Sequence, residues 1–254
     1  MSNMVSGQIT DREKKVVKAN QLIQKSRYTL SIQQQKIIAY IISQIKPSDE
    51  DFKLYEFSIK DFCNVCGIES NNGRIYENLK QHIKELSDKS IWIKLENGKE
   101  TLFRWIEKPY INENSGIIQI RIDSDMKPYL LHLTENYTMY EIAFTLNFNS
   151  KYSFRLYEYM KSIHYNKLEE YIHRVNIDEL KTRIGAENYS NFKDFNNRAL
   201  KPAIKEINEY SDITLDYNCI YNGRKVIAIE LIVISKSITE RLELYDRKRS
   251  KEND

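Results

Sequence analysis

The chain of 254 residues reads as an α+β protein in which one plan is used twice. Three observations predict this. Amphipathic helical stripes are interleaved with short runs of alternating apolar and polar residues. Two polar turns, Glu96-Asn97-Gly98-Lys99 and Tyr221-Asn222-Gly223-Arg224, each hold an Asn-Gly pair between strand-like segments, the strongest short hairpin signal. The order helix, short helix, longer helix, hairpin occurs in each half.

Taken in order, residues 1–15 are polar and read as a flexible start, with an extended piece at Val16–Val17. Ser31 is a good N-cap for a helix running to about Ile45, with Ile37, Ile38, Tyr40, Ile41, Ile42 and Ile45 as a broad buried face. Pro47 and Ser48 end it. Tyr55–Ile59 is extended, and a brief helix to Cys66 closes at Gly67. Asn71-Asn72-Gly73 is a turn. Ile75, Leu79, Ile83 and Leu86 then form the stripe of a longer helix. The first hairpin pairs Ser90–Leu95 with Thr101–Ile106, and Trp92 and Trp105 are expected to pack across it. Gly116–Ile122 alternates cleanly as a further strand.

In the second half, residues 150–165 give a helix with Phe154, Leu156, Tyr157, Met160 and Ile163 inside. Arg174–Ile177 is extended, and Asp178–Ile184 is a short helix closed by Gly185. The last hairpin joins Ile213–Cys219 to Val226–Ile234, and a polar, basic-rich helix that frays follows. The repeat reaches individual residues. Phe57-Ser58-Ile59-Lys60-Asp61-Phe62 before Gly67 matches Val175-Asn176-Ile177-Asp178-Glu179-Leu180 before Gly185. Such an order of elements is that of a winged helix-turn-helix domain, so two in tandem by internal duplication are expected.

The stretch from Phe192 to Asn208 carries most of the functional argument. Phe192, Phe195, Ala199, Leu200, Ala203, Ile204 and Ile207 make one buried stripe. The opposite face carries Asn196, Asn197, Arg198, Lys201, Lys205 and Asn208, with Asp194 among them. A helix with that front can lie in a DNA major groove, where Arg and Lys suit guanine and phosphate and Asn suits adenine. The plainer reading is a solvated amphipathic face. Pro202 cannot donate the backbone bond to residue 198. It either kinks the helix or starts it, and the second case would put Arg198 in a loop. Candidate DNA contacts also include Asn222, Arg224 and Lys225 at the second hairpin tip, Lys94 and Lys99 at the first, and Arg74, Lys80 and Lys84 on the first unit's longer helix.

Composition narrows the alternatives. A net charge of +3 is too small to argue for nucleic acid by itself, so any basic surface must be local. The N-terminus lacks an apolar signal core, and the longest apolar run, Val226–Ile234, is short and holds Glu230. A cytoplasmic protein with no membrane contact is expected, and three cysteines fit a reducing compartment. No phosphate-cradling Gly-x4-Gly-Lys-Ser/Thr motif occurs. His132-Leu133 is followed by Thr134, so the His–apolar–His metal pair of rolling-circle nucleases is missing. Cys63-Asn64-Val65-Cys66 lacks a second ligand pair and shares a stripe with Ile59 and Phe62, which suits small core residues better than zinc. No enzyme, cofactor or metal site is expected.

The stretches SKYSFRLYEYMKS (150–162), NIDELKTRIG (176–185), FKDFNNRALKPAIKEINEYSDI (192–213) and VKANQLIQKSRYTLSIQQQKIIAYIISQI (17–45) resemble theta-type plasmid replication initiators that bind repeated origin sites called iterons. The resemblance spans about residues 16–236. It implies tandem winged-helix domains: 16–134 for dimerisation and additional DNA contacts, 135–236 for the main sequence-specific contacts, with 237–254 a basic tail. It further implies a homodimer in equilibrium with monomer, autorepression by dimers, and recruitment of a host initiator and replicative helicase. Two other readings fit the same residues, a winged-helix repressor without initiator activity and a tandem winged-helix module that binds proteins.

Overall fold

A computed structural model describes residues 14–66, 68, 74–95, 97–164 and 170–250. Gly67, the Asn71-Asn72-Gly73 turn, Glu96, Tyr165 and most of the polar start lie outside the described residues. In chain order the first unit runs β1 (Lys15–Ala19), α1 (Asn20–Gln24), β2 (Ser26–Arg27), α2 (Ile32–Ile42), β3 (Tyr55–Ser58), α3 (Ile59–Cys66), α4 (Ile75–Ser87), β4 (Ser90–Lys94), β5 (Glu100–Arg104), β6 (Tyr110–Asn112) and β7 (Ile117–Ile120). Three short elements follow: α5 (Lys127–Leu130), β8 (Tyr137–Glu141) and α6 (Ala143–Leu146). The second unit runs α7 (Lys151–Ile163), β9 (Tyr171–Asn176), α8 (Ile177–Ile184), α9 (Phe192–Phe195), a π turn (Asn196–Leu200), α10 (Lys201–Tyr210), β10 (Ile213–Asn222) and β11 (Lys225–Ser235), with α11 (Ile238–Ser250) at the end.

Ser31 starts α2 through a reciprocal capping box with Gln34, at 3.0 Å and 3.3 Å. The helix stops at Ile42, short of Ile45. The chain turns there because Asp49 accepts from the Lys46 amide at 2.9 Å. Tyr40 packs its ring against Phe57 and Phe62, which ties α2 to β3 and α3. In α3, Ile59, Phe62, Cys63 and Cys66 are all buried, so both cysteines serve as small core residues. Burial pushes the Cys63 thiol up to about 11 and Cys66 further still.

The β4–β5 hairpin forms as predicted and gains β2 on its far side. The strand expected at Gly116–Ile122 is the shorter β7. It lies outside the hairpin sheet and pairs with β3 and β6. The tryptophan pairing does not occur. Trp92 faces solvent at 48% exposure opposite Leu102, whereas Trp105 lies beyond β5, buried edge-on against Tyr28 at 4.8 Å. The chain leaves the strand at Arg104, and this carries Trp105 into the core. Cys219 is half-buried on β10.

In the second unit Gly185 ends α8 with φ 71°, a left-handed cap that favours glycine. The second hairpin is the longer one, and β11 reaches back to pair with β9, Ile229 opposite Val175. The two units therefore share the strand–helix–helix–hairpin plan but close it differently. In the first, β3 takes its partner from the later β7; in the second, the wing strand itself fills that place.

Helix α7 stands between the units. Lys18 on β1 bonds Glu158 at 2.6 Å, with the side chains 3% and 1% exposed. Tyr140 on β8 donates to the same carboxylate at 2.6 Å. Arg155 donates to the carbonyls of Arg183 (2.6 Å) and Ser26 (3.4 Å) and lies over the Tyr28 ring at 4.0 Å. At the far end, the first half of α11 docks rather than frays: Leu244 is buried, and Tyr245 packs on Phe144 and donates to Glu141.

Removing one partner of a buried pair leaves an uncompensated charge. Lys18→Met should cost about 3–5 kcal/mol, and Lys18→Met with Glu158→Leu should recover most of it. Urea unfolding of the parent, both single variants and the double variant checks this as a cycle. Additive losses would show that the two side chains do not act as a pair.

Candidate nucleic-acid interface

The helical stretch at the centre of the second unit is continuous from Phe192 to Tyr210. α10 starts at Lys201 with Pro202 in its first turn, as the second alternative had it, but Arg198 is not in a loop. The missing bond is absorbed by the π turn, in which the Lys201 amide donates to the Asn196 carbonyl. The wider turn separates backbones where the proline ring would clash, so Arg198 stays helical. Phe195, Ala199, Leu200, Ala203 and Ile207 are fully buried and Ile204 nearly so. The predicted inward stripe is the observed one except at its start, where Phe192 is only half-buried.

Four contacts clamp this helix from behind. Glu206 accepts from the amides of Asn149 (3.2 Å) and Ser150 (3.1 Å) and from the Ser153 hydroxyl (2.5 Å), capping the N-terminus of α7. Asn208 grips the β10 backbone in both directions at Leu215, 2.9 Å and 2.7 Å, so it is a structural residue and not part of the outward face. Tyr217 of β10 donates to the Asn196 side chain at 2.7 Å. Lys236 donates to the Ser211 carbonyl at 2.9 Å, a cation at the helix C-terminus where the dipole favours it.

What remains on the solvent side is Asn197, Arg198, Lys201 and Lys205, all exposed. Arg198 reaches Asp194 only at 3.9 Å. Lys201 and Lys205 meet no carboxylate among the described residues. The wing rises beside them. Its strands run to Asn222 and Lys225, so the two-residue loop is Gly223-Arg224 rather than Asn222-Gly223. Gly223 has φ 59°, the positive φ that such a loop requires at its first position. Asn222, Arg224 and Lys225 are exposed. Between the wing tip and the starts of α8 and α9 lies an open groove of 910 Å³ that brings Lys193 toward Arg224 and Lys225, with Asp178 and Glu179 on the other wall. Lys193 was not among the expected contacts, although its place one turn before Asn197 marked it.

The corresponding helix of the first unit is different. On α4, Lys80 is ion-paired with Glu113 of the β6–β7 turn, and Arg74 lies 3.9 Å from Glu77. Lys84 is exposed, as are Lys94 and Lys99 on the hairpin. Burial lowers the His82 imidazole, whose Nδ1 is enclosed without a partner, so it packs as a neutral ring. The sequence had placed these basic residues on the outward face without showing that Lys80 is neutralised there; Arg74 stands 3.9 Å from Glu77, as Arg198 does from Asp194.

This geometry is two winged-helix units with unequal basic faces. Comparison with known proteins agrees with it. Residues 15–161 match the model described as "Initiator Replication protein, WH1", and residues 176–233 match "Initiator Rep protein, WH2". The chain belongs to the initiator replication protein family. A "Replication initiation protein" of Escherichia coli is 28% identical over 208 residues, 79% of this chain. That stretch spans 64% of the relative's length. The fold of this initiator-family chain also superposes on the "Crystal structure of Pi initiator protein in complex with iteron DNA", with TM-score 0.70 and 18% identity, covering 89% of this chain and 99% of that one.

The inward and outward faces of α10 separate stability from binding. Leu200→Ala opens a cavity and should cost about 2–5 kcal/mol. Lys201→Ala and Lys205→Ala should each stay within about 0.5 kcal/mol of the parent. Chemical denaturation of the three variants checks this; a large loss at Lys201 or Lys205 would show that these side chains are not free for a partner.

Proposed function

We propose that the chain is a plasmid replication initiator, a non-enzymatic cytoplasmic protein that binds repeated double-stranded origin sites. The observation that carries this reading is the outward face Asn197-Arg198-Lys201-Lys205, in which Lys201 and Lys205 meet no carboxylate among the described residues, on a helix held from behind by four contacts, in a chain of the initiator family. A rigid helix with that face suits the major groove, with Arg198 on guanine and Asn197 on adenine. Asn196, held by Tyr217, positions its neighbour. Arg224, Lys225, Asn222 and Lys193 grip phosphates along the flanking strand, which fixes register without reading sequence.

The first unit, about residues 16–134, contributes further contacts through Lys84, Lys94 and Lys99, and through Arg74 and Lys80 once phosphate displaces their carboxylates. The second, about 135–236, supplies most of the discrimination, and 237–254 adds basic charge. In this reading monomers occupy the origin and recruit a host initiator and the replicative helicase, while homodimers act on the protein's own gene.

Footprinting on the DNA flanking the gene tests the reading: protected direct repeats support it, and a single inverted repeat without replication would make the protein a repressor. Arg198→Ala and Asn197→Ala should each weaken cognate binding by about 1–3 kcal/mol with melting unchanged. Arg224→Ala should weaken cognate and unrelated DNA alike and reduce the salt slope by about one. If Asn197, Arg198 and Lys201 can all become alanine without loss of cognate affinity at matched salt, α10 is not the reader.

A further inference from the structure

By sequence β4–β5 follows α4 as β10–β11 follows α10, but sheet pairing matches a different hairpin. The order β10–β11–β9 has its counterpart in β6–β7–β3. In each case the strand that leads into the two helices pairs with the second strand of a hairpin. Asn176, before α8, lies opposite Ala228, and Ser58, before α3, lies opposite Ile117. The turn of the first unit that corresponds to the Asn222-Gly223-Arg224-Lys225 tip is therefore Glu113-Asn114-Ser115-Gly116. The helices align too. Glu85 of α4 accepts from Gln34, three residues past the Ser31 cap of α2, at 2.9 Å. Glu206 of α10 accepts from Ser153, three residues past the Ser150 cap of α7, at 2.5 Å. Counting back from each glutamate, Lys80 and Lys84 hold the places of Lys201 and Lys205.

The matched turns carry opposite charge. The second has Arg224 and Lys225; the first has no basic residue and holds Glu113. Its shape is fixed from both sides. The Asn112 side chain accepts from the Ser115 amide at 3.2 Å, and Gly116 takes φ 66°. The Gly116 carbonyl accepts from the Ile59 amide, at the start of α3, at 2.8 Å. From that anchored turn Glu113 reaches across to α4 and pairs with Lys80. Both side chains are about half exposed, so the pair sits at the surface and can open. Lys201, in the equivalent place, meets no carboxylate among the described residues.

We propose that Glu113 gates the first unit's grip on DNA phosphates. This rests on the DNA-binding reading above and adds an order of engagement to it. While the pair is closed, a carboxylate stands beside α4, repels the DNA backbone and occupies the lysine that would meet it. The equivalent turn of the second unit carries cations instead, so the second unit seats first. The first unit is then held close to the duplex, at a high effective concentration of phosphate. A phosphate displaces Glu113 from Lys80, and the first unit joins at a site the second has already chosen.

Fluorescence anisotropy on the full chain tests the gate, with a labelled duplex from the DNA flanking the gene and an unrelated duplex of equal length. Glu113→Gln removes the charge and keeps the turn, whose closing bond runs from the Gly116 amide to the Glu113 backbone carbonyl at 3.3 Å. It should tighten binding roughly threefold or more, the scale of one exposed ion pair opened. The gain should appear on both duplexes, because phosphates carry no sequence, and should shrink as salt is raised. In a Lys80→Ala background the same substitution should bring no gain, since the lysine it frees is gone. Glu107→Gln removes another exposed carboxylate of the first unit, one that faces Arg121 at 3.8 Å, and should leave affinity unchanged. No gain from Glu113→Gln, a gain that survives Lys80→Ala, or an equal gain from Glu107→Gln would overturn the gate while leaving the DNA reading standing. A parent with no affinity for either duplex would overturn both.

Discussion

The arrangement of the two units depends on a buried ion pair, Lys18 with Glu158, 2.6 Å apart and almost wholly removed from water. Desolvating two charges costs several kcal/mol each, and attraction alone seldom offsets it. Here the carboxylate also accepts from Tyr140, and the ammonium lies 5.9 Å from the Phe154 ring centre. Burial and the adjacent carboxylate hold the Tyr140 hydroxyl protonated, so it remains a donor. A pair separated by 140 residues can be satisfied in only one register of β1 against β8 and of both against α7. Its worth lies in specifying that register more than in net stability. The other bonds to α7 follow the same logic. Arg155 reaches back to Ser26 and forward to Arg183, and Glu206 of α10 caps the same helix. The candidate reading helix α10 is thus tied directly to α7.

Charge is distributed by the fold in a way that the composition conceals. A net +3 spread evenly would attract DNA weakly. The structure concentrates the difference. On α4 Lys80 faces Glu113, so its charge is cancelled within a few ångströms. Around α10 two of the carboxylates are drawn off to structural tasks, Glu206 capping α7 and Asp212 pairing with Lys161 at 2.7 Å, while Asp194 stands 3.9 Å from Arg198 and Glu209 is exposed. Lys201 and Lys205 are left facing solvent. The asymmetry between the units comes from where the carboxylates are used, since both helices carry basic residues.

The plan of two units, the inward stripe of α10, the Ser31 cap, the Gly185 cap and both hairpins were legible because each rests on local signals. Long-range pairings were not. Nothing near Val16 points to Tyr140, and nothing in Gly116–Ile122 says that it will join β3 instead of the adjacent hairpin. Trp92 and Trp105 looked like a facing pair because strand alternation was extended past Arg104, where the strand ends. Pro202 posed two alternatives because the single-turn π adjustment that resolves it leaves no mark in hydrophobic spacing. Among the candidate contacts, type and exposure could be read, but partners could not. Asn196 bonded to Tyr217 and Asn208 bonded to Leu215 look like Asn197 in sequence.

The two hairpins, built on one plan, differ in how their outer backbones are presented. In the second unit β11 is central, paired on both sides by β10 and β9, and carries the extra residue Ile227 where the register shifts opposite Ile220 and Tyr221. A bulge of that kind increases the local twist of the hairpin. The first hairpin keeps a regular register from Ser90–Arg104 to Lys94–Glu100 and leaves β5 with no strand on its outer side among the described residues. The divergence from a common unit lies in a bulge and in which strand closes each sheet.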